Sequence, residues 1–259
     1  MFKGHKVLSS RTSNPNDSWD RQTKLVHWPL GGVLMSQYAP ALRSLGLLDP
    51  KAQELGTGGF GTAYRVQLRG RNSVVKLTRD PHEVLASWLL RGRETMHVVP
   101  IFGVWAMPAM QMFPHWSSWW VIHRGYLRPF TARDESLLET LFDFWSDDDN
   151  GLSVPKPGAS GRSTREKWRD KLRHETDCSA IEVQRALSLL DDISKGIREM
   201  RAVHMDWSDI IPENLLRDPK SDSLRIADVG FGLPKRDMEC DPPELTVESA
   251  VAHVEALKL

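Results

Sequence analysis

"LGTGGFGTAYRVQLRGRNSVVKLTRDPHEVLASWLLRG", Leu55 to Gly92, is the stretch from which the fold is read. It opens with four glycines, Gly56, Gly58, Gly59 and Gly61, and no charge between them. Such a G-x-G-x-x-G spacing serves turns, bulges and dinucleotide sites alike and is weak by itself. In a dinucleotide fold the glycines end a strand and begin a helix, whose N-terminus takes the pyrophosphate. No helix begins here: Tyr64, Val66 and Leu68 alternate, "RGRN" makes a turn, and "SVVKL" resumes as strand. A glycine loop between antiparallel strands therefore fits better, its bare backbone able to close over a nucleotide's phosphates. "RDPHEVLASWLLRG" then reads as a helix capped by Asp80, with Pro81 at its first position and Gly92 as its stop.

Outward from this core, "HVVPIFGVW" and "WWVIHRGYL" read as two further strands, giving about five strands and one helix in the first half. Residues 8–22 are polar and turn-rich, and 31–49 carry apolar residues near helical spacing broken by Pro40, one or two short helices. Downstream, 135–145 is helical in pattern, while 146–170 is charged and bears Gly, Pro and Ser, a loop mobile in part. Ser179 and Glu182 have capping-box spacing ahead of an apolar stripe, Ala186, Leu189, Leu190, Ile193, Ile197, Met200 and His204. Two short strands and a last helix close the chain, and there is no internal repeat.

Composition removes several function classes. Lys plus Arg and Asp plus Glu are each 34 of 259 residues, so no global charge draws nucleic acid or an anionic membrane. Cys178 and Cys240 have no metal spacing and form no disulfide framework. No apolar run reaches the length of a spanning helix, so a soluble, cytoplasmic protein is expected. The ten tryptophans are read first as core.

Chemistry collects on a few positions. Lys76 interrupts an alternating strand, where a lysine is either solvent-facing or paired as a phosphate clamp. Glu83, on the next helix, is the favoured anchor for it, although Asp80 and Glu83 could equally close a capping box; Glu94 is the alternative anchor. In "HMDWSDIIPENLLRD" (204–218), Asp209 and Asn214 are five apart around Pro212, so a carboxylate can face an attacking hydroxyl while an amide carbonyl turns to a metal. Asp206 is the weaker carboxylate. Asp228 follows an apolar strand and precedes Gly230, a place for a magnesium ligand and equally for a turn.

In this order the motifs resemble the protein-kinase-like superfamily: "GTGGFG" its glycine-rich loop, "VVK" its third-strand lysine, "SDIIPENLL" its catalytic loop and "ADVG" its Asp-Phe-Gly, over Leu55 to Gly232. The resemblance implies an α+β, two-lobed fold: a five-stranded antiparallel first lobe with one helix (51–127) and a reduced, mainly helical second lobe (128–259), preceded by an extension (1–50), with a flexible insertion near 146–170. It also implies ATP and magnesium as cofactors. Gly56, Gly58, Gly59 and Gly61 would cover the phosphates, Lys76 would hold them and Glu83 would hold Lys76. Asp209 would be the catalytic base, and Asn214 and Asp228 the magnesium ligands.

The sequence also departs from that pattern. Trp207 and Ser208 stand where His-Arg is usual, Ile211 where lysine is usual and Val229 in place of phenylalanine, and few residues follow Gly232. The implied activity is an atypical, minimal bacterial-type kinase acting on serine or threonine of proteins, including itself, with Thr57 and Thr62 as candidate autophosphorylation positions. Two other readings stand beside it. One is a small-molecule (antibiotic or metabolite) phosphotransferase with a pocket from 126–170; the other is a pseudokinase-like antitoxin or regulatory subunit, contacting a partner through the N-terminal extension or the Trp-rich 105–120 hairpin.

Overall fold

The computed structural model describes residues 32–58, 60–108, 119–146, 161–207, 211–230, 232–234 and 240–257. Within them the chain is α+β. Strands β1 (Gln53–Thr57), β2 (Gly61–Leu68), β3 (Arg71–Thr78), β4 (Ile101–Met107) and β5 (Trp119–Gly125) form one antiparallel sheet in the order β1-β2-β3-β5-β4. Arg69 and Gly70, both at positive φ (49° and 78°), make the tight reversal from β2 to β3, with the turn hand that follows the strands' own twist.

Side chains on a strand alternate between faces, so the register sorts the sheet into two surfaces. Lys76 lies opposite Ala63 and Ile122, and Val74 opposite Arg65 and Arg124; these six share one face. Val75, Leu77, Val121 and His123 share the other.

That other face is covered by both ends of the described chain. Helix α1 (Gly32–Ser44), which runs through Pro40, brings Tyr38, Leu42 and Leu45 onto Val66, Leu77 and Val121. The last helix, named α6 (Val247–Ala256) because four others intervene, adds Ala250 and the preceding Leu245 to the same cluster. Residues 128–259 were assigned above to the helical half; this last part instead seals the sheet. Trp105 and Trp119 are each 5% exposed within the cluster, so these two rings are core and not a contact surface. Trp120 is partly buried against the larger core on the opposite face, while Trp116 and residues 1–31 lie outside the described residues.

Against the Lys76 face packs α2 (Pro81–Leu90), begun by the Asp80 carboxylate accepting the His82 N–H and followed by Gly92 at φ 71°. Its Val84, Leu85 and Leu90 join Val104 and Ile122 of the sheet to a larger core built by α3 (Ala132–Ser146), α4 (Gly161–Glu175) and α5 (Ala180–Ala202). Helix α5 opens with the capping box that the Ser179–Glu182 spacing announces. Its apolar stripe ends at Met200; His204 is exposed at φ 63°, past the helix end, and does not extend the stripe as expected.

Helix α4 corrects the reading of 146–170 as loop. Among the described residues its exposed side chains are almost wholly charged; Trp168 and Leu172, one turn apart and both 0% exposed, anchor it by burial, and Arg165 pairs with Asp191 of α5. Two large apolar side chains, each contributing roughly 2–3 kcal/mol on full burial, hold a helix whose composition hides it. Residues 147–160 lie outside the described set.

Two small two-stranded antiparallel sheets complete the fold: β6 (Met205–Trp207) with β9 (Gly232–Pro234), and the hairpin of β7 (Leu215–Arg217) with β8 (Leu224–Ile226). Strand β8 is tied to the segment leading into β4, since the Val99 N–H donates to the Ile226 carbonyl and the Ile226 N–H to that of His97, both at 2.8 Å. The Glu199 carboxylate of α5 accepts the N–H groups of Met96, His97 and Val98. Sheet, α5 and β8 are thereby locked together. Among the described residues no helix is long and apolar enough to cross a membrane.

Candidate functional site

The centre of the site is a lysine between two carboxylates. Lys76 Nζ lies 2.6 Å from Glu83 Oε1 and 3.1 Å from Asp228 Oδ2. Lys76 reaches inward because the register leaves it on the face that α2 covers, and α2 presents Glu83 from its first turn. Glu83 is 2% exposed and spent on the lysine. The cap of α2 is made by Asp80 alone with the His82 N–H, so the capping-box alternative for Glu83 does not hold. Glu94, the other candidate anchor, is exposed.

The electrostatics are those of a compact mixed-charge cluster. Burial raises the pKa of Glu83, opposed by Lys76 and reinforced by Asp228. Asp228 shifts the other way: burial works against its charge, but Lys76, then Arg124, then the Gly230 N–H, hold its carboxyl below the ordinary range. Asp228 is therefore ionised at neutral pH. The Gly230 N–H donates to Asp228 Oδ1 at 2.9 Å, closing the turn after β8. A Cβ on Gly230 would stand 2.8 Å from Asp80 Oδ2 and 3.0 Å from Asp228 Oδ1, so glycine is needed for the close approach of this turn to the start of α2.

The glycines divide by role. A Cβ on Gly61 would meet the Leu77 carbonyl oxygen at 2.1 Å, so this glycine lets β2 lie against β3. At Gly56 and Gly58 a Cβ would meet nothing within 4 Å, and neither has a positive φ. No packing within the described chain demands glycine there. Gly58 N–H donates to the Gly61 carbonyl at 2.9 Å, and Gly59 lies outside the described residues. Thr57 is exposed, its Oγ1 hydrogen-bonded to Glu54 and paired with Thr62; Thr62 is 1% exposed, which removes it as an accessible hydroxyl.

Asn214 ends a single 3-10 turn (Pro212–Asn214), and its carbonyl accepts the Ala227 N–H at 2.8 Å. The β7–β8 register thus sets Asn214 across from Ala227, the residue before Asp228. Asp209 lies outside the described residues; the segment that would carry it leaves β6 at Trp207 and re-enters at Ile211. Among the described residues no three His, Cys, Asp or Glu side chains form a preassembled metal site.

One member of the cluster was not singled out from sequence. Arg124 on β5 is on the Lys76 face, 3.9 Å from Glu83 Oε1, and donates to the Ala227 carbonyl at 2.5 Å. Its signal was available: an arginine inside "WWVIHRG" is as anomalous in a buried strand as Lys76 is in "SVVKL". Scanned against protein-family models and searched against curated proteins, the chain has no match.

Proposed function

We propose that the chain is an ATP- and magnesium-dependent kinase of the two-lobed, protein-kinase-like kind, transferring the γ-phosphate to serine or threonine of proteins, its own chain included. The observation that carries this reading is Lys76 held at 2.6 Å by Glu83 and at 3.1 Å by Asp228, on the sheet face adjoining the glycine-rich β1–β2 turn. A partly buried lysine so anchored is a fixed positive charge of the sort that phosphoryl transfer uses on the nucleotide's phosphates. Gly56 and Gly58, glycines with no packing reason, leave the space that phosphates approaching a backbone would need.

In this reading the sheet with α2 is the first lobe and α3 to α5 with the two small sheets the second. Lys76 holds the phosphates and Glu83 positions Lys76. Asp228 and Asn214 would hold magnesium, which would neutralise charge between the phosphates. Asp209 takes the proton of the attacking hydroxyl as its oxygen bonds to the γ-phosphorus, and the bond to ADP breaks. Thr57, exposed at the glycine turn, is the self-acceptor; two negative charges there would oppose ATP binding and switch the enzyme off. The place of action is the cytoplasm.

The test is incubation with γ-labelled ATP and magnesium, beside Asp209→Ala, with mass mapping of any phosphate. Label on the wild type alone is expected. Absence of label, with ATP still raising the melting temperature, would replace the protein substrate by a small molecule or leave a nucleotide-binding partner protein. Absence of both would refute the reading.

A further inference from the structure

Strand β5 lies between β3 and β4, a poor place for an idle charge, yet it carries Arg124 on the face that α2 covers. The side chain is 12% exposed. Its ion pair with Glu83 is loose: Oε1 is 3.9 Å from Nη1, and Lys76 already holds that oxygen at 2.6 Å. The short contact of Nη1 is with a backbone group, the Ala227 carbonyl, at 2.5 Å. An arginine that merely filled this space could give way to an apolar side chain, since such replacements of buried charge are often neutral or stabilising.

What the arginine does there follows from the place of Ala227, the residue that joins β8 to Asp228. The Ala227 N–H donates to the Asn214 carbonyl at 2.8 Å and the Ala227 carbonyl accepts from Arg124, so both of its backbone groups are engaged. The peptide is planar, so holding the Ala227 carbonyl also holds the Asp228 N–H. A charged donor makes that hold stronger than a neutral one. On the other side the Gly230 N–H donates to Asp228 Oδ1 at 2.9 Å. Asp228 is thereby fixed from the backbone on both sides, without help from Lys76.

That independence matters once Lys76 meets another anion. Its ammonium serves Glu83 at 2.6 Å and Asp228 at 3.1 Å together, and a phosphate that draws it away loosens the grip on Asp228 Oδ2. Arg124 then remains as the cation beside Glu83, which is 2% exposed, and the Ala227 carbonyl stays where it was.

We propose that Arg124 is a positioning residue of the site: through the Ala227 carbonyl it keeps Asp228 in place when Lys76 turns to a phosphate. The consequence for nucleotide and magnesium rests on the kinase reading; the hold on the turn does not.

Two readouts separate the inference from that reading. Amide hydrogen exchange in the full chain reads the turn directly. In Arg124→Met, Asp228 to Gly230 should exchange about tenfold faster or more, while Leu215, Leu224 and Ile226 keep their wild-type rates. Arg124→Lys, which keeps a charged donor, should restore slow exchange. Unchanged exchange in Arg124→Met, equal rates in the two variants, or equal loosening of the turn and of β7 and β8 would overturn the inference. The second readout is calorimetric titration with ATP, with and without magnesium. The gain in affinity that magnesium brings should fall about 10–100-fold in Arg124→Met, the loss usual when a group orienting a metal's ligand is removed, and recover in Arg124→Lys. An equal gain in wild type and Arg124→Met would overturn the inference. A wild type that binds no ATP would refute the kinase reading instead, with the exchange rates still deciding what Arg124 does.

Discussion

Replacing Lys76 by methionine should test whether the Lys76–Glu83 contact is a committed buried pair. At 2.6 Å and an effective dielectric near 20, the gross attraction is about 6 kcal/mol. Desolvation takes back much of it, since the side chains are 12% and 2% exposed. Without the lysine, Glu83 faces Asp228 with only Arg124, at 3.9 Å, to offset it. Breaking such a pair costs about 3–5 kcal/mol when the remaining charge cannot escape. Here it can: burial already raises the Glu83 pKa, and Lys76→Met should raise it further. An acid whose pKa is higher folded than unfolded binds extra protons when folded, so its stability contribution is present below the unfolded value and lost as pH rises. Lys76→Met should therefore cost about 3 kcal/mol at pH 8 and visibly less at pH 5.5. Glu83→Gln leaves Lys76 with Asp228 and should cost about 1–2 kcal/mol. The double variant should fall about 2 kcal/mol short of the sum, measured by urea unfolding at both pH values. Additivity within about 0.5 kcal/mol together with a pH-independent loss would refute the argument.

Three further outcomes follow from other residues. Gly58→Ala should leave the melting temperature within a degree or two and weaken nucleotide binding, whereas Gly61→Ala, meeting the Leu77 carbonyl, should cost about 2–4 kcal/mol; thermal shift with and without ATP separates them, and a Gly58→Ala that binds ATP normally would count against the glycine-flap reading. Asp228→Ala should abolish magnesium-dependent nucleotide binding or phosphotransfer while the far-UV spectrum persists; full activity would remove Asp228 from the site. Burial, and then the nearby His253, lower the pKa of His123 to about 3. The unfolded chain therefore takes up a proton first, and stability should fall as pH drops from about 6.5 toward 3, with a slope near 1.4 kcal/mol per pH unit that His123→Phe removes.

Much of this arrangement could be read from local pattern. Lys76 stood out because a charge interrupts an alternating strand, and Asp80, Pro81 and Gly92 mark the ends of α2 by rules that act within a few residues. Ser179 and Glu182 did the same for α5. Glu83 was ambiguous, because a first-turn glutamate suits a cap as well as an anchor, and only the distance to β3 decides between them. Arg124 joins the cluster through strand pairing across β3 and β5, which no local window contains. Helix α4 escaped notice because just two of its apolar side chains, Trp168 and Leu172, are buried among many charges, too few to show a period. The covering of the sheet by α1 and α6 joins segments about 200 residues apart, beyond the reach of periodicity.

That closure by α6 has a consequence for synthesis. Strands β1 to β4 leave the ribosome about 140 residues before Leu245 and Ala250, which complete their outer core. At roughly 5–20 residues per second, Val75, Leu77 and Trp105 wait on the order of ten seconds for their last cover. Through that interval the apolar face that Leu245 and Ala250 finish is covered only from the N-terminal side, by residues such as Tyr38, Leu42 and Leu45.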